Sequence, residues 1–164
     1  MLERDISNEI KEALRSYPVV TVTGPRQSGK TTLAKSIAPN KPYYNLEQPN
    51  TRELIKDDPI GVLNACPDGA IFDEVQYAPE LLSYIQVKID ELNREGLYIL
   101  TGSHQPTLHE AIAQSLAGRT AMLSLLPFSI HELSKKGISM SLDDYLFNGD
   151  FSIINFASAA EIVE

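Results

Sequence analysis

The segment VVTVTGPRQSGKTTLAKSIA, Val19–Ala38, decides the reading of this chain. Gly24, Gly29, Lys30 and Thr31 meet the spacing G-x-x-x-x-G-K-[ST]. An unrelated sequence of this length meets it roughly once in two hundred trials. Val19, Val20 and Val22 form a β-branched apolar run, which predicts a buried parallel strand ending near Gly24. Leu33, Ala34, Ile37 and Ala38 recur at helical intervals, so the loop falls between a strand and a helix, as a phosphate-binding loop requires. Gly24 and Gly29 are expected to permit the backbone angles that turn successive N–H groups inward, and the helix after Gly29 aims its positive end at the same place. On this reading Gly24, Pro25, Arg26, Gln27, Ser28, Gly29, Lys30, Thr31 and Thr32 hold a nucleotide triphosphate. Lys30 reaches the β- and γ-phosphates and the Thr31 hydroxyl holds Mg²⁺. Arg26 is read as a side chain that braces the loop. The plainer alternative is a glycine-rich turn before an amphipathic helix.

Length and composition bound the rest. A chain of 164 residues suffices for one domain that buries about 70% of its unfolded surface. No stretch is apolar enough to span a membrane, and MLERDISNEI lacks the apolar core of a signal peptide. A net charge of −8 without a Lys/Arg cluster argues against nonspecific duplex binding by this segment. The lone Cys66 excludes an internal disulfide and suits a reducing cytoplasm. It stands in NACPDG, a turn, and is read as structural. His104, His109 and His131 have no matching Cys or carboxylate set, which leaves zinc without a motif.

Apolar strand-like runs alternate with helical patterns, which predicts an α/β fold: a parallel sheet of about five strands with helices on both faces. The phosphate-binding loop at Gly24–Thr31 makes P-loop NTPase the expected type. Strands are expected at Val19–Thr23, Tyr43–Leu46, Ala70–Asp73, Leu97–Thr101 and Ala121–Leu126. Leu81, Leu82, Ile85, Ile89 and Leu92 predict a helix that Pro79 opens and Gly96 closes. A helix at Thr107–Leu116 is followed by Gly118, a C-terminal cap. Residues 1–136 are assigned to this domain. Residues 137–164 lack periodicity and read as the start of a truncated second domain or a poorly ordered tail.

A phosphate cradle alone hydrolyses nothing; a carboxylate must stand at the tip of a neighbouring strand. GAIFDEV supplies two. Asp73 is assigned to the magnesium side. Glu74, expected to point to the other face, is placed to orient and deprotonate a water. Alone, such an acidic pair reads as a solvated strand end. The fourth strand ends in YILTGSHQ, and ligands of doubly wound sheets sit beyond the carboxyl ends of the strands. Thr101 and Ser103 therefore project hydroxyls toward the γ-phosphate, with Ser103 preferred. In SLAGRTAML, Arg119 follows the helix cap and is either a finger for the γ-phosphate, within the chain or across a subunit interface, or a surface Arg paired with a carboxylate.

Together these pieces resemble a known family. TGPRQSGKTTL, YYNLEQP, IFDEVQYAPELLSYI, ILTGSHQ, SLAGR and LLPFSIHEL, in that order, look like the N-terminal ATPase domain of the bacterial and archaeal AAA-type proteins that carry a C-terminal domain of unknown function. The resemblance covers the chain from about Val20 to Leu133. It implies the AAA-type strand order and ATP with Mg²⁺ as cofactors. It puts Lys30 and Thr31 in the first Walker motif, Asp73 and Glu74 in the second, Ser103 at the polar sensor position and Arg119 as the finger arginine. Relatives continue beyond PFSIHEL into a second domain; DYLFNGDFS resembles its opening, and the given chain ends at Glu164.

Three functions follow as expectations. The first is an ATPase that couples hydrolysis to an unknown partner, with ATP/ADP as ligands, a cytoplasmic setting and a homo-oligomer left open. The second is a nucleotide-binding module with little turnover. The third is a small-molecule kinase, for which the sequence lacks an Arg-rich lid.

Overall fold

The computed structural model describes residues 4–135. Residues 137–164, read above as a truncated second domain or tail, lie outside the described residues.

Strand β1, Val19–Gly24, is buried along its whole length. So are β3, Ala70–Asp73, and β4, Tyr98–Ser103. The short β2, Tyr43–Asn45, and β5, Thr120–Ser124, are the edges. The order is β2-β3-β4-β1-β5, and every pairing is parallel. This is the α/β sheet that the alternating pattern predicts.

Successive strand residues serve opposite faces, because side chains alternate across a pleated strand. Val19, Ala70, Phe72, Tyr98 and Leu100 enter one core. It also holds Ile55 of α3 (Pro49–Asp57), Leu63 of α4 (Pro59–Asn64), Ile85 of α5 (Leu81–Leu92) and Ile112 of α6 (Pro106–Ser115). Val20 and Val22 enter the other with Ile10 of α1 (Ser7–Ser16) and Leu33 of α2 (Lys30–Ile37). Ile71 and Ile99 pack on Ala34 on that side. Burying a Val, Leu, Ile or Phe side chain is worth about 1.5–3 kcal/mol, so two covered faces hold the sheet between helical layers.

Boundaries differ from the sequence expectation where local geometry decides. β4 runs on to Ser103 rather than stopping at Thr101, because Thr23 and Gly24 of β1 pair with Gly102 and Ser103. Asn93, in the left-handed conformation at φ 46°, ends α5, three residues before Gly96. Four helices went unpredicted: α1, α3, α4 and α7 (Ile130–Ser134). Asp58 caps α4 by accepting the Gly61 N–H at 2.8 Å, a signal the sequence did offer. Gly69 marks the turn into β3: a Cβ there would lie 1.6 Å from the Leu97 carbonyl oxygen.

Candidate functional site

The carboxyl ends of β1, β4 and β3 stand side by side, and the loop, Asp73, Glu74 and Ser103 lie at these ends. Between β1 and α2 the chain passes through Pro25–Gly29. Left-handed conformations fall at Gln27, φ 62°, and Gly29, φ 90°. Alternating right- and left-handed residues turn successive N–H groups toward one point. Gly24 takes a positive φ of 159°, as expected of it, and has a second reason to be glycine. Its Cβ would meet the Leu125 carbonyl oxygen at 2.2 Å, so close approach of the chain after β5 excludes any side chain.

Lys30, the first residue of α2, is buried. Its Nζ donates to the carbonyl oxygens of Gly24 at 3.1 Å and Pro25 at 2.7 Å, which fixes the amine inside the loop. Burial pushes it below its ordinary value of 10.5, against the pull of Glu74 and Asp73. Ser28 Oγ donates to the Pro25 carbonyl at 3.0 Å and closes the turn. Arg26 is exposed and braces the loop only weakly, its Nη2 lying 3.4 Å from the Tyr77 hydroxyl.

Asp73, at the tip of β3, is 3% exposed. Three hydroxyls point at its carboxylate. Thr31 Oγ1 lies 3.0 and 2.9 Å from its two oxygens. The Tyr43 hydroxyl donates to Oδ2 at 2.7 Å, and the Thr101 hydroxyl donates to Oδ1. Burial, and next the bond to Asp73, push the Tyr43 phenol well above its ordinary value of 10.0. Thr101 therefore faces Asp73 rather than the place where a γ-phosphate was expected, and it also accepts the Glu74 N–H at 3.2 Å.

Glu74 leaves β3 in the left-handed conformation at φ 59°, so this backbone turn, not strand alternation, sets its direction. Its Oε2 accepts from Ser103 Oγ at 3.4 Å and from the Gln76 side-chain amide. Ser103 and Glu74 are thus brought together, with Gln76 as a third member the sequence reading missed. Beside them a cavity of about 520 Å³ is lined by Pro25, Arg26, Ser103, His104, Gln105, Ser124 and Leu126.

Arg119 lies elsewhere. It precedes β5, at the amino end of a parallel sheet whose carboxyl ends carry the loop. Its guanidinium binds Asp90 of α5 at 2.7 and 2.9 Å. Approach to the loop of its own chain, one of the two routes expected for it, is contradicted by that placement. Cys66 is buried, with its Sγ 3.4 Å from the Tyr44 hydroxyl. His104 and His109 meet edge to face, 4.8 Å between centroids. Among the described residues no group of three or more His, Cys, Asp and Glu is placed to hold a metal ion. No helix among them is long and apolar enough to cross a membrane.

Arg4 gave no sequence signal, and the sequence presents Tyr43 only as part of a strand and of YYNLEQP, not as a partner of Asp73. Glu132 gave one, through the S-x-x-E spacing from Ser129 that announces a capping box; the structure forms that box.

Comparison with known proteins supports the fold. Uncharacterized proteins of Mycobacterium bovis and Mycobacterium tuberculosis are each 30% identical over 131 residues, 79% of this chain. The chain spans 30% of the length of either. Among solved structures, the Walker-type ATPase of Pyrococcus abyssi matches at TM-score 0.58 with 18% identity, over 94% of this chain and 63% of that one. The FIGL-1 AAA domain in complex with ADP matches at TM-score 0.54 with 14% identity, over 82% and 56%. A signal-transduction ATPase with numerous domains and a tetratricopeptide-repeat sensor, from Pyrococcus horikoshii, matches at TM-score 0.52 with 18% identity, over 94% and 28%. At such identities these structures speak for the fold. The family model described as AAA domain matches residues 16–134. Its span takes in the loop, the Asp73–Glu74 strand tip and Arg119, and the chain belongs to the AAA domain family of nucleotide-binding ATPase modules.

Proposed function

We propose that this chain binds ATP with Mg²⁺ and hydrolyses it, and that hydrolysis is coupled to a protein partner. The observation that carries the reading is the meeting of Thr31 and Asp73: a hydroxyl and a buried carboxylate within 3.0 Å, next to a buried lysine in a loop of converging amides. Mg²⁺ is a hard ion that takes one or two protein oxygens and completes its shell with water and substrate phosphates. The Thr31 and Asp73 oxygens fit that demand, and Tyr43 and Thr101 hold the carboxylate in place for it. When bound, the ion would draw charge from the phosphate oxygens.

The remaining roles belong to the chain's own groups. Amides of Gln27–Thr31 and the Lys30 amine bind and orient the polyphosphate. Glu74 accepts the proton of an attacking water. Ser103, whose hydroxyl contacts Glu74, orients that water or the γ-phosphate. Adenine rests on the family and on the ADP bound to the FIGL-1 AAA domain.

Phosphate release from MgATP tests the reading. Glu74→Gln should lower the rate about 100-fold or more, the usual weight of a general base, while ADP affinity stays within a few-fold. Equal rates would remove Glu74 from the chemistry. One observation favours the lesser reading, a binding module with little turnover. The Glu74 carboxylate is engaged by Gln76 and Ser103, which lowers its availability to water. Gln76→Ala separates the two: faster release means that Gln76 restrains the base, and unchanged slow release favours a module that holds nucleotide.

A further inference from the structure

We propose that Arg4 is a positioning residue of the phosphate cradle, and that through Glu132 it couples nucleotide binding to the helix α7, Ile130–Ser134. The inference rests on the reading of Gly24–Thr31 as a nucleotide site.

Arg4 lies far from the loop in sequence and is 6% exposed. Each arm of its guanidinium has a partner. Nη1 donates to the Ser28 carbonyl at 2.8 Å, Nη2 to the Leu126 carbonyl, and Nε to Glu132 Oε1 at 3.0 Å. Its flat face lies 4.1 Å from the centre of the Phe128 ring. A planar fork that binds three points and stacks on a ring is not replaceable by a lysine.

The Ser28 contact matters because a trans peptide is rigid and planar. Its C=O and the next N–H point in opposite directions. Pinning the Ser28 carbonyl toward Arg4 therefore aims the Gly29 N–H away from Arg4. Gly29 is the residue before α2, where the helix presents its positive end. One hydrogen bond thus fixes the orientation of a cradle amide that has no packed side chain to fix it.

Glu132 ties the same guanidinium to α7. Its carboxylate accepts the backbone N–H of Asp5 at 2.8 Å and of Ser129 at 2.8 Å, and its own N–H donates to Ser129 Oγ at 3.1 Å. The cap of α7, the entry of the chain at Asp5 and the Ser28–Gly29 peptide are one hydrogen-bonded unit. Phosphate bound by the Gly29 amide favours the peptide orientation that Arg4 holds. By linkage, any load that displaces α7 must change nucleotide affinity by the same factor that nucleotide changes α7.

The test uses the full chain, with MgADP as the probe. Wild type, Arg4→Lys and Glu132→Gln are compared by calorimetry, by the rise in Tm that saturating MgADP causes, and by hydrogen exchange at the amides of Glu132 and Leu133. The proposal expects MgADP affinity to fall about tenfold in Arg4→Lys, the loss of one hydrogen bond to a charged group. It expects a smaller loss in Glu132→Gln. MgADP should slow exchange in α7 of the wild type and leave it unchanged in Arg4→Lys. A merely structural Arg4 would lower Tm equally with and without MgADP; a positioning one shrinks the MgADP-induced increment as well. Wild-type affinity and increment in a folded Arg4→Lys overturn the proposal. Should Arg4→Lys fail to fold, undiminished affinity and exchange protection in Glu132→Gln overturn it instead. Absence of MgADP binding by the wild type is a different result, which removes the nucleotide reading itself.

Discussion

Asp73 shows how much one residue carries. A carboxylate that is 3% exposed loses its hydration, and three hydroxyl donors replace it. Hydrogen bonds to charged groups are worth about 1.5–3 kcal/mol, so each donor is a measurable element of stability as well as of site geometry. Tyr43→Phe removes one of the three and should lower the unfolding free energy by about 1–2 kcal/mol, read from urea denaturation. A loss near zero would mean that water replaces the phenol without cost. Glu132 makes a second prediction, in pH. Burial acts to raise its carboxyl, yet the N–H groups of Ser129 and Asp5, with Arg4, outweigh burial and hold it below its ordinary 4.5. A carboxyl depressed on folding adds stability that is present above its unfolded value and is lost as pH falls through its folded value. Denaturation midpoints should therefore fall below pH 4.5, and Glu132→Gln should flatten that fall. Asp5, whose carboxyl is held below its ordinary value by its hydrogen bonds with Lys135 and His131, adds to the acid sensitivity, so flattening by Glu132→Gln is the diagnostic part.

Between elements, the tightest constraint is the approach of the chain after β5 to the end of β1. The Leu125 N–H donates to the Thr23 carbonyl at 2.7 Å, and its carbonyl lies over Gly24. Gly24→Ala forces a 2.2 Å contact and should cost about 1–3 kcal/mol through overpacking, with a further loss of nucleotide affinity. Full stability in that variant would show that the loop can shift freely. The strands and their parallel direction were legible because Val19–Val22, Ala70–Phe72 and Leu97–Leu100 are buried on both faces and read as mostly apolar runs. Helix α5 was legible from its period. Helices α1, α3 and α4 were not, since each buries only one or two residues and presents a mostly polar face. The loop, Asp73 and Glu74 were legible because their chemistry is local in sequence. Gln76 lay inside a stretch already read, but its partners Glu74 and Ser103 meet only when β3 and β4 pair. Arg4 was out of reach: its partners Ser28, Leu126 and Glu132 converge only through the complete sheet.

At the scale of the whole molecule, parallel strands separate two ends. The carboxyl ends carry the phosphate loop, and the amino end of β5 carries Arg119 with Asp90. The two cannot meet in one chain without dismantling the sheet, so any action of Arg119 on a phosphate must be on the nucleotide of another copy. Specific activity should then rise with protein concentration, and Arg119→Ala should abolish the rise. Mixing Arg119→Ala with Lys30→Ala should restore part of the activity that neither has alone, because each supplies what the other lacks. Flat specific activity together with no complementation would leave Arg119 as a surface partner of Asp90. Beneath these predictions lies a single claim, that the amides of Gln27–Thr31 receive a polyphosphate with Lys30 and Thr31 beside it. A crystal structure with Mg²⁺ and a non-hydrolysable ATP analogue tests it most directly. The account predicts the β-phosphate encircled by those amides, the Lys30 amine moved from the Gly24 and Pro25 carbonyls onto phosphate oxygen, and the ion between Thr31 and Asp73. Polyphosphate bound elsewhere, or a loop that keeps Lys30 on its own carbonyls with the analogue present, would contradict it.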